Sequence, residues 1–126
     1  MSGKISAIVI DDDSLMRELV TRVLEELGCL IVGIGKNGQA AAELYRENKP
    51  DLVFLDINMP DVNGLDALRR IFRIDRNARV VMLTGVSDST VAETCIQSGA
   101  IDYLQKDAGP AALRDGLVRA VNSVGG

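Results

Sequence analysis

Five short apolar runs, each followed by a stretch of helical periodicity, constrain this chain more than any other feature. The runs cover residues 5–10, 30–34, 52–55, 80–83 and 102–104. The first, third and fourth are nearly unbroken, as strands buried on both faces of a parallel sheet must be; a half-buried strand alternates instead. Between the runs, apolar residues recur at three- and four-residue spacing. Leu15, Leu19, Val23 and Leu27 are expected to share one face of the first helix. Ala40, Ala41, Leu44 and Tyr45 mark the second helix, and Leu65, Leu68 and Phe72 the third. Val91, Ala92, Cys95 and Ile96 mark the fourth, and Leu113, Leu117, Ala120, Val121 and Val124 the fifth. Gly28 and Gly99 fall where helices end in a left-handed residue. Five strands alternating with five helices give an α/β fold: a parallel sheet with right-handed crossovers and helices on both faces. With 126 residues, the chain is expected to form one domain over residues 1–126. Aromatic residues make up only 3%, so the core must be built from Val, Ile, Leu and Ala.

Charge and residue counts remove several functions. Eighteen acidic residues against 14 Lys and Arg leave a net charge of -4. That balance argues against an unaided grip on nucleic acid or an anionic membrane. The chain has no histidine, which excludes His-based triads, His-ligated zinc and histidine acid–base catalysis. Any phosphohistidine chemistry must therefore come from a partner. Cys29 and Cys95 fit no metal-binding spacing and are expected to be reduced and buried as small apolar groups. No run approaches the ~20 apolar residues of a membrane span, and the N-terminal run is too short for a signal segment. The chain is read as cytoplasmic.

Ligand sites of open α/β sheets lie beyond the carboxyl ends of the strands. Here those ends carry complementary polar groups. The first strand runs out into Asp11, Asp12 and Asp13, the third into Asp56, the fourth into Thr84 and the fifth into Lys106. The second, an expected edge strand, runs into a glycine turn. Taken singly, each has a bland reading. An Asp after a strand is usually a helix N-cap, and Asp13 or Ser14 is expected to cap the first helix; a lone Lys is usually solvated. Taken together they are harder to dismiss. Two like charges about 4 Å apart repel by roughly 4 kcal/mol at an effective dielectric of about 20. Asp11, Asp12 and Asp56 therefore need a proton or a cation among them. Oxygen-only ligands suit Mg²⁺, or Mn²⁺, with room left for waters and a phosphate oxygen. Such a site suits phosphoryl transfer, with Asp56 as the nucleophile that forms an acyl phosphate. The metal and Lys106 would offset charge on the phosphoryl oxygens, and the Thr84 hydroxyl could donate to them.

These residues stand in four stretches that resemble the receiver domains of two-component response regulators. The stretches are Ile8-Val9-Ile10-Asp11-Asp12, Asp56-Ile57-Asn58-Met59-Pro60-Asp61-Val62-Asn63-Gly64, Val81-Met82-Leu83-Thr84-Gly85 and Tyr103-Leu104-Gln105-Lys106. The resemblance covers essentially the whole chain. It implies a flavodoxin-like, doubly wound (βα)5 sheet of five parallel strands in the order 2-1-3-4-5. It implies that Asp56 is the phosphoacceptor. Asp12 and Asp56 would bind Mg²⁺ through their side chains, Asp11 through a coordinated water and Asn58 through its backbone carbonyl. Thr84 and Lys106 would sense the phosphoryl group. Tyr103 would be the aromatic switch residue that turns inward as the Thr84 hydroxyl is drawn to the phosphate. The change would be read on the face formed by helix 4, strand 5 and helix 5, as a population shift between two states.

The same resemblance implies the partners. The donor would be a sensor histidine kinase or a histidine phosphotransfer protein. The reader would be a downstream effector protein or a C-terminal output domain, and the chain itself a monomer or a phosphorylation-dependent dimer. It would catalyse its own phosphorylation and dephosphorylation rather than turn over a separate substrate. Asn58 and Val86 occupy positions where the family tunes dephosphorylation. Asp107 departs from the family pattern, which commonly places Pro after the Lys. A cis bond before a non-Pro residue costs about 2.5–4 kcal/mol, so a trans bond is expected there. Lys106-Asp107 is similar to the pair in regulators that carry a C-terminal helix-turn-helix domain.

Other signals compete. Gly33-Ile34-Gly35-Lys36-Asn37-Gly38 matches the dinucleotide fingerprint G-x-G-x-x-G, but it follows the second strand rather than the first. Asp11-x-Asp13 resembles the start of the nucleophile motif of haloacid-dehalogenase-type phosphatases, an aspartate-nucleophile enzyme reading; the further motifs of those larger chains are missing. A flavin module would need a Ser/Thr/Gly-rich phosphate loop where residues 11–13 stand. A degenerate receiver, acting as a non-phosphorylated binding module, would have lost an acidic or Lys position, and none is lost.

Overall fold

The computed structural model describes residues 4–85 and 89–125. Strands and helices alternate as β1 (Ser6–Ile10), α1 (Ser14–Glu26), β2 (Leu30–Gly35), α2 (Gly38–Asn48), β3 (Leu52–Asp56), α3 (Gly64–Ile74), β4 (Val80–Thr84), α4 (Ser89–Gln97), β5 (Asp102–Gln105) and α5 (Pro110–Gly125). All strand pairings are parallel and the order is β2-β1-β3-β4-β5. The expected doubly wound sheet is therefore the fold.

Strand side chains alternate between two dry layers, which explains the unbroken apolar runs. Ile8, Ile10, Val53, Leu55, Val80 and Met82 face one layer, where they meet Ala41 and Tyr45 of α2, Leu68 and Ile71 of α3, and Ala92 and Cys95 of α4. Ala7, Val9, Leu52, Phe54, Val81 and Leu83 face the other, against Val20 and Leu24 of α1 and Leu113 and Leu117 of α5. The two cysteines are buried and unpaired, Cys29 in the α1/α5 layer and Cys95 in the α2/α3/α4 layer. Gly28 (φ 90°) and Gly99 (φ 119°) hold the left-handed positions expected at helix ends. No cis peptide bond occurs among the described residues, and none of their helices is long and apolar enough to cross a membrane.

Two helix faces differ from expectation. In α1 the buried residues are Val20 and Leu24, while Leu15 is 75% exposed. At 3.6 residues per turn, Leu15 points about 140° away from Val20. A four-residue stripe drifts around the helix, and only its later members, Leu19, Val23 and Leu27, pack against the core. In α4 the middle pair, Ala92 and Cys95, is buried, but Val91 and Ile96 remain exposed.

The strands also run further than their apolar residues. Asp56 pairs with Leu83, and Thr84 with Gln105. Ladder hydrogen bonds join backbones and are indifferent to a polar side chain, so both residues are the last of their strands rather than the first of loops. The chain leaves β1 toward β2 on one side, then crosses to β3 on the other. That places the topological switch point at the carboxyl ends of β1 and β3.

Candidate functional site

Asp11 immediately follows β1 and Asp56 closes β3, so the switch point brings their carboxylates together. Both are almost completely buried. Asp11 is held by hydrogen bonds at both backbone polar atoms and at one carboxylate oxygen. Its N–H donates to the Gly35 carbonyl at 3.1 Å, its Oδ1 accepts from the Asp13 N–H at 2.9 Å, and its carbonyl accepts from Arg17 Nη1 at 2.8 Å. Asp13 in turn caps α1, accepting from the Leu15 N–H at 3.0 Å. Arg17 carries no sequence signal for this role, because its spacing from Asp11 only becomes meaningful once the helix folds back.

Lys106 reaches in from the end of β5, where its N–H bonds the Thr84 carbonyl at 2.8 Å. Its Nζ lies 2.8 Å from Asp11 Oδ2 and 3.0 Å from Asp56 Oδ1. Asp56 Oδ1 also accepts from the Asn58 N–H at 3.2 Å. The other oxygen, Asp56 Oδ2, is buried and receives no hydrogen bond among the described residues. Asp12 is exposed, but its carboxylate completes a triangle with Asp11 and Asp56 whose oxygens lie within 4.8 Å of one another.

Three carboxylates thus face one ammonium. Burial, opposed by Lys106 and reinforced by the Asp11 charge, pushes the Asp56 carboxyl up to about 7. The hydrogen bonds to Asp11 and Asp56 outweigh desolvation and raise the Lys106 ammonium above its ordinary range. A buried carboxylate oxygen without a donor, beside an oxygen-only acidic triad, fits a hard divalent cation such as Mg²⁺. Asp11, Asp12 and Asp56 are the side chains that could hold it.

Thr84 is buried at the end of β4. Its Oγ1 donates to the Leu104 carbonyl at a long 3.5 Å, so the hydroxyl is not committed to Asp56 in this conformation. Tyr103, one residue earlier on β5, is 37% exposed. Asn58 meets Asp56 through its N–H. Val86 lies outside the described residues.

The competing signals have structural explanations. A Cβ on Gly38 would lie 2.6 Å from the Val62 carbonyl oxygen, and Cβ atoms on Gly33 and Gly35 would press on Leu44. These glycines admit close packing. The amides at the start of α2, where a dinucleotide phosphate would sit, are taken by a protein carboxylate. Asp61 accepts from the Gly38 N–H at 2.9 Å and the Gln39 N–H at 3.0 Å. As for a nucleophile at Asp11, both of its oxygens are engaged, whereas Asp56 keeps one open.

The Gly38 and Gln39 amides hold the Asp61 carboxyl below the usual range. A depressed carboxyl stabilises the fold above its unfolded value and loses that contribution as pH falls through the folded value. Asp61→Ala is therefore expected to lower the thermal unfolding midpoint by a few degrees at neutral pH, and the difference should close in acid. Melting curves followed by circular dichroism across pH 2–7 check both parts.

A family model described as the response regulator receiver domain matches residues 7–118. The chemotaxis protein CheY of Thermotoga maritima is 33% identical over 117 residues, 93% of this chain and 94% of that protein. The response regulator GacA of Pseudomonas aeruginosa is 34% identical over 121 residues, 95% of this chain but 55% of that protein. Among solved structures, the response regulator domain of Thermotoga maritima CheB superposes with a TM-score of 0.86 at 26% identity, covering 97% of this chain and 96% of that one. CheY from a CheX–CheY–BeF3–Mg complex of Borrelia burgdorferi superposes with a TM-score of 0.85 at 26% identity, covering 97% and 90%.

Proposed function

The chain belongs to the response regulator receiver domain family of two-component signalling, and on that premise we propose that it is a switch that accepts a phosphoryl group on Asp56. The observation that carries this reading is the meeting of Asp11, Asp12, Asp56 and Lys106 at the switch point, with one buried Asp56 oxygen left open. A partner's phosphohistidine supplies the phosphoryl group. An Asp56 carboxylate oxygen attacks phosphorus, the P–N bond breaks, and the imidazole leaves with the bonding electron pair. Asp11, Asp12 and Asp56 would hold Mg²⁺, which would supply charge compensation for the transferring phosphoryl oxygens.

The chain's own groups do the rest. Asp11 holds Lys106 against Asp56, so the ammonium is in place before the phosphoryl group arrives. The Asn58 N–H fixes the Asp56 carboxylate. The Thr84 hydroxyl exchanges its long bond to Leu104 for a phosphoryl oxygen, and the outward ring of Tyr103 follows inward. The α4–β5–α5 face then passes the change to an effector or an output domain. Only the phosphorylated state offers these contacts, so they set the direction of the population shift.

Beryllium fluoride with Mg²⁺ mimics an acyl phosphate on a carboxylate and tests this relay. Amide resonances of Thr84, Tyr103 and Lys106 are expected to move in the wild type and to stay in place in Asp56→Asn. Shifts of equal size in that variant would remove Asp56 from the mechanism.

A further inference from the structure

The acidic chain has one strongly basic region. Arg69, Arg70, Arg73 and Arg76 fall within α3 and the turn after it. Arg69 and Arg73 follow the i, i+4 spacing that keeps side chains on one face of α3, and Arg76 follows in the turn after the helix. With Phe72, Ser98 and Gly99 they line an open groove of about 830 Å³ between α3 and the end of α4. The Phe72 ring sits against Gly99, where a Cβ would come within 3.0 Å of it, so glycine keeps this wall of the groove free.

Little counter-charge meets these arginines among the described residues. Several cations elsewhere are committed: Arg22 to Glu18, Arg114 to Glu26, Arg119 to Asp102 and Lys106 to the acidic site. Arg69 makes only a loose 3.8 Å pair with Asp66 on the surface. Arg73 and Arg76 have no ion pair or hydrogen bond among the described residues. Asp75 stands beside them in sequence but accepts from the Tyr45 hydroxyl at 2.8 Å and the Asn77 N–H at 2.9 Å.

We propose that this groove docks an acidic helical segment of a protein partner. Carboxylates one turn apart on such a segment, about 5.4 Å along its axis, match the pitch at which the arginines are presented. Guanidinium groups bind carboxylates through paired hydrogen bonds. An apolar side chain between the carboxylates would rest on Phe72, giving the arginine-plus-aromatic composition typical of binding hot spots. The groove suits a short segment better than nucleic acid, whose phosphate row would continue onto a chain of net charge -4. Because α3 runs from the end of β3 back to the start of β4, its last turn lies at the end of the sheet opposite Asp56. Docking there is independent of the phosphoryl site, so it can succeed or fail separately from the switch.

The test is an NMR titration of the ¹⁵N-labelled chain with a capped helical peptide that carries Glu at every fourth position and one central Leu. Its Gln counterpart and a single-stranded oligonucleotide serve as the other arms. Saturable shifts confined to residues 69–76 and 98–99 are expected. Binding should weaken about ten-fold in Arg73→Ala/Arg76→Ala, the sum of two exposed ion pairs, and weaken further as salt is raised. The proposal is overturned by no binding of the Glu peptide, by equal binding of the Gln peptide, by shifts spread equally over Lys36, Arg46 and Lys49, or by tighter binding of the oligonucleotide at the same groove.

Discussion

Gly64→Ala is expected to lower stability by about 3 kcal/mol, toward the upper end of the cost of overpacking, and to impair phosphoryl uptake in the molecules that still fold. A Cβ at Gly64 would lie 2.5 Å from the Ile57 Cα and 2.6 Å from the Asp56 carbonyl oxygen. Neither is the flexible tip of a side chain. The Gly64 N–H also bonds the Ile57 carbonyl at 2.7 Å, so the two segments cannot part without losing a hydrogen bond. The backbone that carries Asp56 must move. Urea unfolding gives the stability change, and the yield of phosphorylated protein, normalised to the folded fraction, gives the second effect. A variant as stable as the wild type would mean that the α3 start yields at little cost. A destabilised variant with full uptake would uncouple Gly64 from the placement of Asp56.

Asp56→Asn is expected to do the opposite to the metal-free protein and stabilise it near neutral pH. The Asp56 carboxyl has its pKa pushed up to about 7 by burial, against an unfolded value of 3.8. Between these values the folded chain holds a proton that the unfolded chain has released, so stability falls as pH rises through this window. Once both states are ionised the cost is at most about 4 kcal/mol. Asparagine carries no charge and removes that slope. Denaturant midpoints in EDTA should therefore fall from pH 4 to pH 8 more steeply for the wild type than for Asp56→Asn. Mg²⁺ should restore the wild type and leave the variant nearly unchanged. A variant less stable than the wild type in EDTA at pH 8 would show that Lys106 already balances the site.

Much of this was legible in the sequence. Unbroken runs such as Val80 to Leu83 read as strands buried on both faces, and the two apolar layers follow directly from them. Asp11, Asp56 and Lys106 were visible because a parallel sheet collects strand ends on one side. What the sequence hid depends on contacts that form only in the folded chain. Arg17 bonds the Asp11 carbonyl only because α1 folds back over its own approach. Asp61 caps α2 from 22 and 23 residues away, which no local capping pattern encodes. β3 and β4 extend past their apolar runs because hydropathy stops at Asp56 and Thr84 while backbone pairing continues. Leu15 departs from the buried face because a four-residue repeat is not quite the helical period.

The most direct test of the switch is intact mass after incubation with Mg²⁺ and acetyl phosphate, beside an Asp56→Asn control and a sample in EDTA. The site geometry predicts gain of a single phosphoryl group by the wild type, absent from both the variant and the metal-free sample. Equal gain by Asp56→Asn, or no gain by a wild type shown to bind Mg²⁺, would contradict the assignment of Asp56 as phosphoacceptor.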